Sequence, residues 1–190
     1  ATSGNTIVGN TLVNNAMIGI NVAYSSSNNI SNNHISQSTY GIKLDGTSQY
    51  NSITGNTILE TSYGIFVANS PNNNIDRNNV SSKIAGIYPI YSSYTNIRNN
   101  TVSGCAYGIE PYQCQRSTIF GNTLSDNGYG IYLVYSTTNT LDRNLASNND
   151  WGIGLYDSDS NTVIQNTASY NTYGIYLTST STGNSIYKNN

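Results

Sequence analysis

Tyr129-Gly130-Ile131-Tyr132-Leu133 decides the fold, because near copies of it recur every 22 or 23 residues along the chain. They centre on Ile18-Gly19-Ile20, Tyr40-Gly41-Ile42, Tyr63-Gly64-Ile65, Ala85-Gly86-Ile87, Tyr107-Gly108-Ile109, Trp151-Gly152-Ile153 and Tyr173-Gly174-Ile175. So regular a period means one supersecondary unit stacked on copies of itself. A second anchor, an aliphatic residue followed three places later by Asn, fixes the phase. Its asparagines are Asn10, Asn33, Asn56, Asn78, Asn100, Asn122, Asn144, Asn166 and Asn189.

Apolar residues come in pairs two apart between turn residues, as in Ile131 and Leu133, which is strand spacing and not helical spacing. Asn, Ser, Thr and Tyr also fill positions where a helix would carry Ala, Leu, Glu and Lys. The pattern predicts an all-β, single-stranded parallel β-helix of about eight coils with an Asn ladder. At ~4.8 Å per coil it makes a rod roughly 40 Å long. We expect residues 1–190 to form one domain without evident terminal caps. The ladder Asn is expected to take the left-handed or bridge conformation that a sharp corner needs, and to bond its counterparts above and below. The Gly before Ile is expected to release the backbone at another corner, and the ring before it to stack in a column.

With 8% charged residues and a net charge of −2, the chain has no electrostatic footprint for nucleic acid. Its apolar runs are too short to span a membrane. A surface solvated by Asn, Ser, Thr and Tyr points to a secreted or cell-surface location. Asn29, Asn79 and Asn99 match the N-glycosylation pattern, at a frequency that chance alone supplies in such a chain. Cys105 and Cys114 flank one strand of one coil, too far apart for a bridge, and read as free structural thiols.

The Tyr-Gly-Ile-Tyr-Leu and Asn-Thr-Ile…Asn-Asn phrases resemble the right-handed parallel β-helix repeats of NosD-like proteins, within the carbohydrate-binding and sugar-hydrolase β-helix superfamily, over residues 5–189. Many archaeal surface proteins are similar. The resemblance implies the fold strongly and function weakly, since the superfamily mixes lyases, hydrolases, epimerases, binding modules and rods. It also implies copper handling, which one His (His34), one Met (Met17) and two separated Cys do not support, so no cofactor or metal is expected.

The outward position between Ile and Leu of the Gly-Ile strand reads Asn21, Lys43, Phe66, Tyr88, Glu110, Tyr132, Gly154 and Tyr176. Its aromatics form an expected exposed ridge suited to sugar faces or another protein, with Tyr24, Tyr91, Tyr94, Tyr112, Tyr135 and Tyr156 nearby. Stacking for stability explains the same rings equally well. Pro89 and Pro111 replace successive inward aliphatics and predict a bulge or distortion. Candidate ligand contacts are therefore Phe66, Tyr88, Glu110, Tyr112, Tyr132 and Tyr176, with Glu110 a weak catalytic candidate. The other acids are scattered, and the Asp-Pro-His-Asp signature of the superfamily's epimerases is absent. The favoured reading is a non-catalytic surface solenoid, self-associating end to end or part of a larger surface protein, with carbohydrate or its own copies as partners. A polysaccharide-binding or polysaccharide-processing module is the alternative.

Overall fold

The structure, a computed structural model, describes residues 3–178 and 180–190. Among them all regular structure is β-strand, and the strands pair in parallel with their counterparts one coil away. The coil from Ser117 to Asn139 shows the plan. Thr118–Phe120 forms a first face, Thr123–Ser125 a second, and Tyr129–Val134 a longer third. The β-branched and aromatic content of these short segments suits a pleated, half-buried surface. Ile119, Leu124, Ile131 and Leu133 point inward and are fully buried. Their equivalents in neighbouring coils continue the same files, so one buried cluster extends from Ile20 to Val163.

Four corners separate these elements, and each has the same two-residue chemistry. The first residue has a left-handed backbone: Gly121, Asp126, Tyr135 and Thr138, with φ of 64°, 57°, 48° and 55°. The second turns a polar side chain into the core edge: Asn122, Asn127, Ser136 and Asn139, all buried. This corrects the left-handed alternative expected of the ladder Asn. The left-handed residue is the one before it, Gly9, Asn32, Gly55, Arg77, Asn99, Gly121, Arg143, Gln165 or Lys188. The Asn is thereby free to point inward and bond along the axis.

The Asn ladder runs in single file from Asn10 to Asn189. Asn56 donates its backbone N–H and its Nδ2 to Asn78 Oδ1, each at 2.9 Å, and a second Nδ2 hydrogen to the Ile30 carbonyl at 3.0 Å. Its own Oδ1 accepts from the backbone N–H and Nδ2 of Asn33. Every polar atom is satisfied, which offsets the roughly 1–3 kcal/mol that an unpartnered buried group costs. Three further ladders stand beside it. One runs through Asn5, Asn28, Asn51 and Asn73 and resumes at Ser117, Asn139, Asn161 and Asn184. One is mostly serine, with Ser25, Ser48, Ser70, Cys114, Ser136 and Ser158. The last gathers Cys105, Asn127, Asn149 and Asn171. Cys105 and Cys114, both buried and free, are thus ladder residues at different corners.

The repeated Gly before Ile does not turn the chain. None of these glycines has a positive φ. A Cβ on Gly108 would lie 2.5 Å from the Gly130 carbonyl oxygen of the next coil and 3.0 Å from Leu124 Cδ2. The glycine file exists because coils approach too closely there for any side chain. The prolines meet the expectation of a bulge or distortion only in part. Pro89 stays in register with Val67 inside the strand Asn79–Ile90, without a bulge. At Pro111 the strand stops at Ile109 and returns only as a bridge at Tyr112, with no residue gained or lost. The register shifts lie elsewhere, between Ser81, Ser82 and Ala85, where Thr57–Ala68 and Asn79–Ile90 run through the second corner as continuous strands.

Candidate functional site

On the third face the outward column is in register: Lys43 pairs with Phe66, Phe66 with Tyr88, and Tyr132 and Tyr176 lie on either side of Gly154. The rings do not stand free as an exposed ridge. Phe66, Tyr88 and Tyr132 are half-buried because each leans on the column of rings preceding the glycines. Phe66 packs edge-on to Tyr40 and Tyr63 at 5.2 and 5.8 Å and to Tyr88 at 5.6 Å. Tyr132 stacks on Tyr129 at 4.4 Å and Tyr107 at 5.8 Å. Tyr176 meets Trp151 edge-on at 4.6 Å and remains exposed. The result is two aromatic clusters. Ala85 leaves the gap in the corner column between them, and Glu110 occupies the same interval of the outward column.

Glu110 is held in place by its backbone N–H, which donates to the Ile87 carbonyl at 3.0 Å. Its half-buried carboxyl has no hydrogen-bond or ion-pair partner among the described residues. Burial pushes its pKa up to about 7. Burial, followed by the Glu110 charge, pushes Tyr88 up to about 12. Tyr132 also rises to about 12, through burial and then its ring neighbours Tyr129 and Tyr107, with a contribution from Glu110. Near neutral pH the patch therefore offers phenol donors beside a carboxyl that exchanges its proton readily.

Of the six expected contact residues, the structure brings Phe66, Tyr88, Glu110 and Tyr132 onto one strip. Tyr112 is one of Tyr88's electrostatic neighbours, but its ring belongs to a separate column with Tyr91 and Tyr135, at 6.0 and 5.7 Å. Tyr176 lies at the far end of the second cluster. Several other acids are engaged: Asp45 with Lys43 at 2.7 Å, Asp76 with Arg77 at 3.1 Å, and Asp142 with Arg143 at 3.9 Å.

Sequence reasoning missed a polar groove of about 630 Å³ at the second corner, lined by Gln37, Thr39, Glu60, Ser62, Ser81 and Lys83 among others. Gln37 Nε2 donates to Glu60 Oε2 at 3.1 Å across it. The available signal was the single 23-residue interval between Gly41 and Gly64, together with Ser38, Thr61 and Ser82 where later coils carry Asn. Ladder bonding fails locally there, and the buried Thr61 Oγ1 has no hydrogen-bond partner.

The NosD family model, described as periplasmic copper-binding protein (NosD), matches residues 1–81 and 60–190. The chain belongs to the NosD family. No curated protein matches it in sequence. Among solved structures, this NosD-family chain is similar to the A-module of Azotobacter vinelandii mannuronan C-5 epimerase AlgE6, with 15% identity and a TM-score of 0.84 over 100% of this chain and 58% of that one. A similar match is the periplasmic alginate epimerase AlgG, with 18% identity and a TM-score of 0.71 over 98% of this chain and 47% of that one. At such identities the likeness is one of fold, and the chain spans about half the length of these proteins.

The copper of the family description does not fit this donor set. His34 lies exposed on the second face, Met17 is exposed near the start of the chain, and Cys105 and Cys114 are buried at different corners. Among the described residues no three His, Cys, Asp or Glu side chains come together. A copper site needs several such soft or imidazole ligands in one place.

Proposed function

We propose that this NosD-family β-helix works outside the cytoplasm as a rigid polysaccharide-contacting solenoid, with Phe66, Tyr88, Glu110 and Tyr132 as its contact strip. One observation carries the reading: an unpaired carboxyl set among aromatic rings on an outward sheet face. Rings offer flat apolar area to sugar faces, while phenol and carboxyl groups hydrogen-bond the hydroxyls at their rims. The family's periplasmic description and the alginate epimerases among its structural relatives support the location and the ligand class. Surface display and end-to-end association belong to the same reading. Sedimentation at rising concentration that finds only monomer would remove the association.

The test is binding on a polysaccharide panel by the intact chain and by a Tyr88→Ala/Tyr132→Ala variant. We expect binding that falls about tenfold in the variant. Absence of binding to every polymer by the intact chain sinks the proposal. A processing role is the second reading, favoured by the carboxyl poised near neutral pH. Hydrolysis ordinarily uses two carboxylates, and Glu110 has no such partner among the described groups that interact with it. Turnover of a uronic-acid polymer that Glu110→Gln abolishes would establish the second reading over the first.

A further inference from the structure

A second aromatic column stands at the corner that closes the third face. It contains Tyr91, Tyr112, Tyr135 and Tyr156 from four successive coils, with ring centroids 6.0, 5.7 and 5.6 Å apart and neighbouring planes at 87°, 84° and 84°. The alternation is written in the sequence. The two residues at this corner read Ile90-Tyr91, Tyr112-Gln113, Val134-Tyr135 and Tyr156-Asp157. The ring therefore comes from the left-handed position in one coil and from the residue just before that position in the next. Tyr91 and Tyr135 share one backbone setting 44 residues apart, and Tyr112 and Tyr156 share the other.

Tyr91 and Tyr135 have φ of 50° and 48°, a region unusual for bulky side chains. Other coils fill the same position with Asn69, Gln113 or Asp157. The tyrosines gain no core burial there, since Tyr91 is 50% exposed and Tyr135 42%. What they add faces outward.

We propose that this column is a binding track for a β-1,4-linked polysaccharide in its flat two-fold ribbon form, lying along the helix axis. In such a ribbon each sugar is turned over relative to the last, so the same face returns once per disaccharide. Rings of one orientation return once per two coils, or ~9.6 Å, which is about the length of one disaccharide. The tyrosine rings stack on every second sugar face, and their hydroxyl edges meet the hydroxyls between. This deepens the polysaccharide reading above and rests on it, but uses a different surface.

The experiment measures binding of cellohexaose, mannohexaose and a β-1,4-linked mannuronate hexamer, with maltohexaose as the curled α-linked control. The intact chain is compared with Tyr91→Asn/Tyr135→Asn, with Tyr170→Asn and with Tyr88→Ala/Tyr132→Ala. Asn suits the left-handed backbone, so the column variant should keep its Tm. We expect it to lose about tenfold in affinity for at least one β-1,4 hexamer, neutral or charged according to the polymer the track serves. Tyr170→Asn, at another corner, should bind as the intact chain does. Equal binding by the column variant and the intact chain, with loss confined to Tyr88→Ala/Tyr132→Ala, overturns the track while leaving the first strip standing. Equal affinity for maltohexaose, or a fall in Tm that accounts for the loss, also overturns it. If no hexamer binds the intact chain, the track falls together with the reading it rests on.

Discussion

Glu110 shows how one residue's setting becomes a stability term. Its pKa rises from 4.5 in the reference state to about 7 because burial disfavours the charge. Between those values the folded chain holds a proton that the unfolded chain has released. Stability therefore falls as pH rises from about 4.5 to about 7, and stays lower above that. Because solvent still reaches the half-buried carboxyl and screens it, the shift corresponds to only ~1–2 kcal/mol against the folded state. Glu110→Gln should accordingly raise Tm by roughly 2–8 °C at pH 8 and leave it nearly unchanged at pH 4. Thermal unfolding at the two pH values checks this, and an equal effect at both would refute it. The position of Glu110 was legible in the sequence because the repeat assigns it to an outward column. Its isolation was not, since that depends on where Lys43, Arg77 and Arg143 find their partners. The main Asn ladder was legible because one letter recurs at one phase. The ladders that mix Asn, Ser, Thr and Cys were hidden, because any short polar group that reaches the next coil's backbone performs the same task.

Among the elements, the third-face strands are governed by the glycine at their entry. The Gly108 position has a carbonyl 2.5 Å from any added Cβ, whereas Gly174 has nothing nearer than 3.7 Å. Gly108→Ala should destabilise the protein by about 2 kcal/mol through a forced separation of coils. Gly174→Ala should be neutral or slightly stabilising, because Ala suits a strand better than Gly. Denaturant midpoints of the two variants decide it, and equal midpoints would show that turning, not crowding, sets the glycine file. Sequence gave the strands and their inward residues correctly, since the two-residue alternation is local. It missed the reason for the glycine, because contact with a coil 22 residues away has no local signature.

The whole molecule is a one-dimensional stack in which a coil meets only its neighbours. Duplicating residues 117–138, one complete coil, should therefore leave all four ladders and three faces in phase. The product should fold, with its Tm equal or higher and its length greater by ~4.8 Å. Duplicating only residues 117–127 should destroy the fold, because it puts every later side chain on the wrong face. Circular dichroism and small-angle scattering distinguish the outcomes, and cooperative folding of the half-coil insertion would disprove the stacking rule. The period alone made this scale the most legible. The groove at Glu60 and Lys83 was least so, because it arises where two continuous strands slip past the corner pattern.

The in-register prolines carry a mechanical consequence. The neighbouring rungs run from the Tyr91 N–H to the Tyr112 carbonyl and from the Gln113 N–H to the Val134 carbonyl. By strand alternation, Pro89 and Pro111 each face the following coil with no hydrogen to give. Two successive seams of the third face thus lack a stitch beside Glu110. Under tension along its axis, each of these seams has one backbone rung fewer on this face, so the amides and hydroxyls at the corners take a larger share of the load there than elsewhere in the rod.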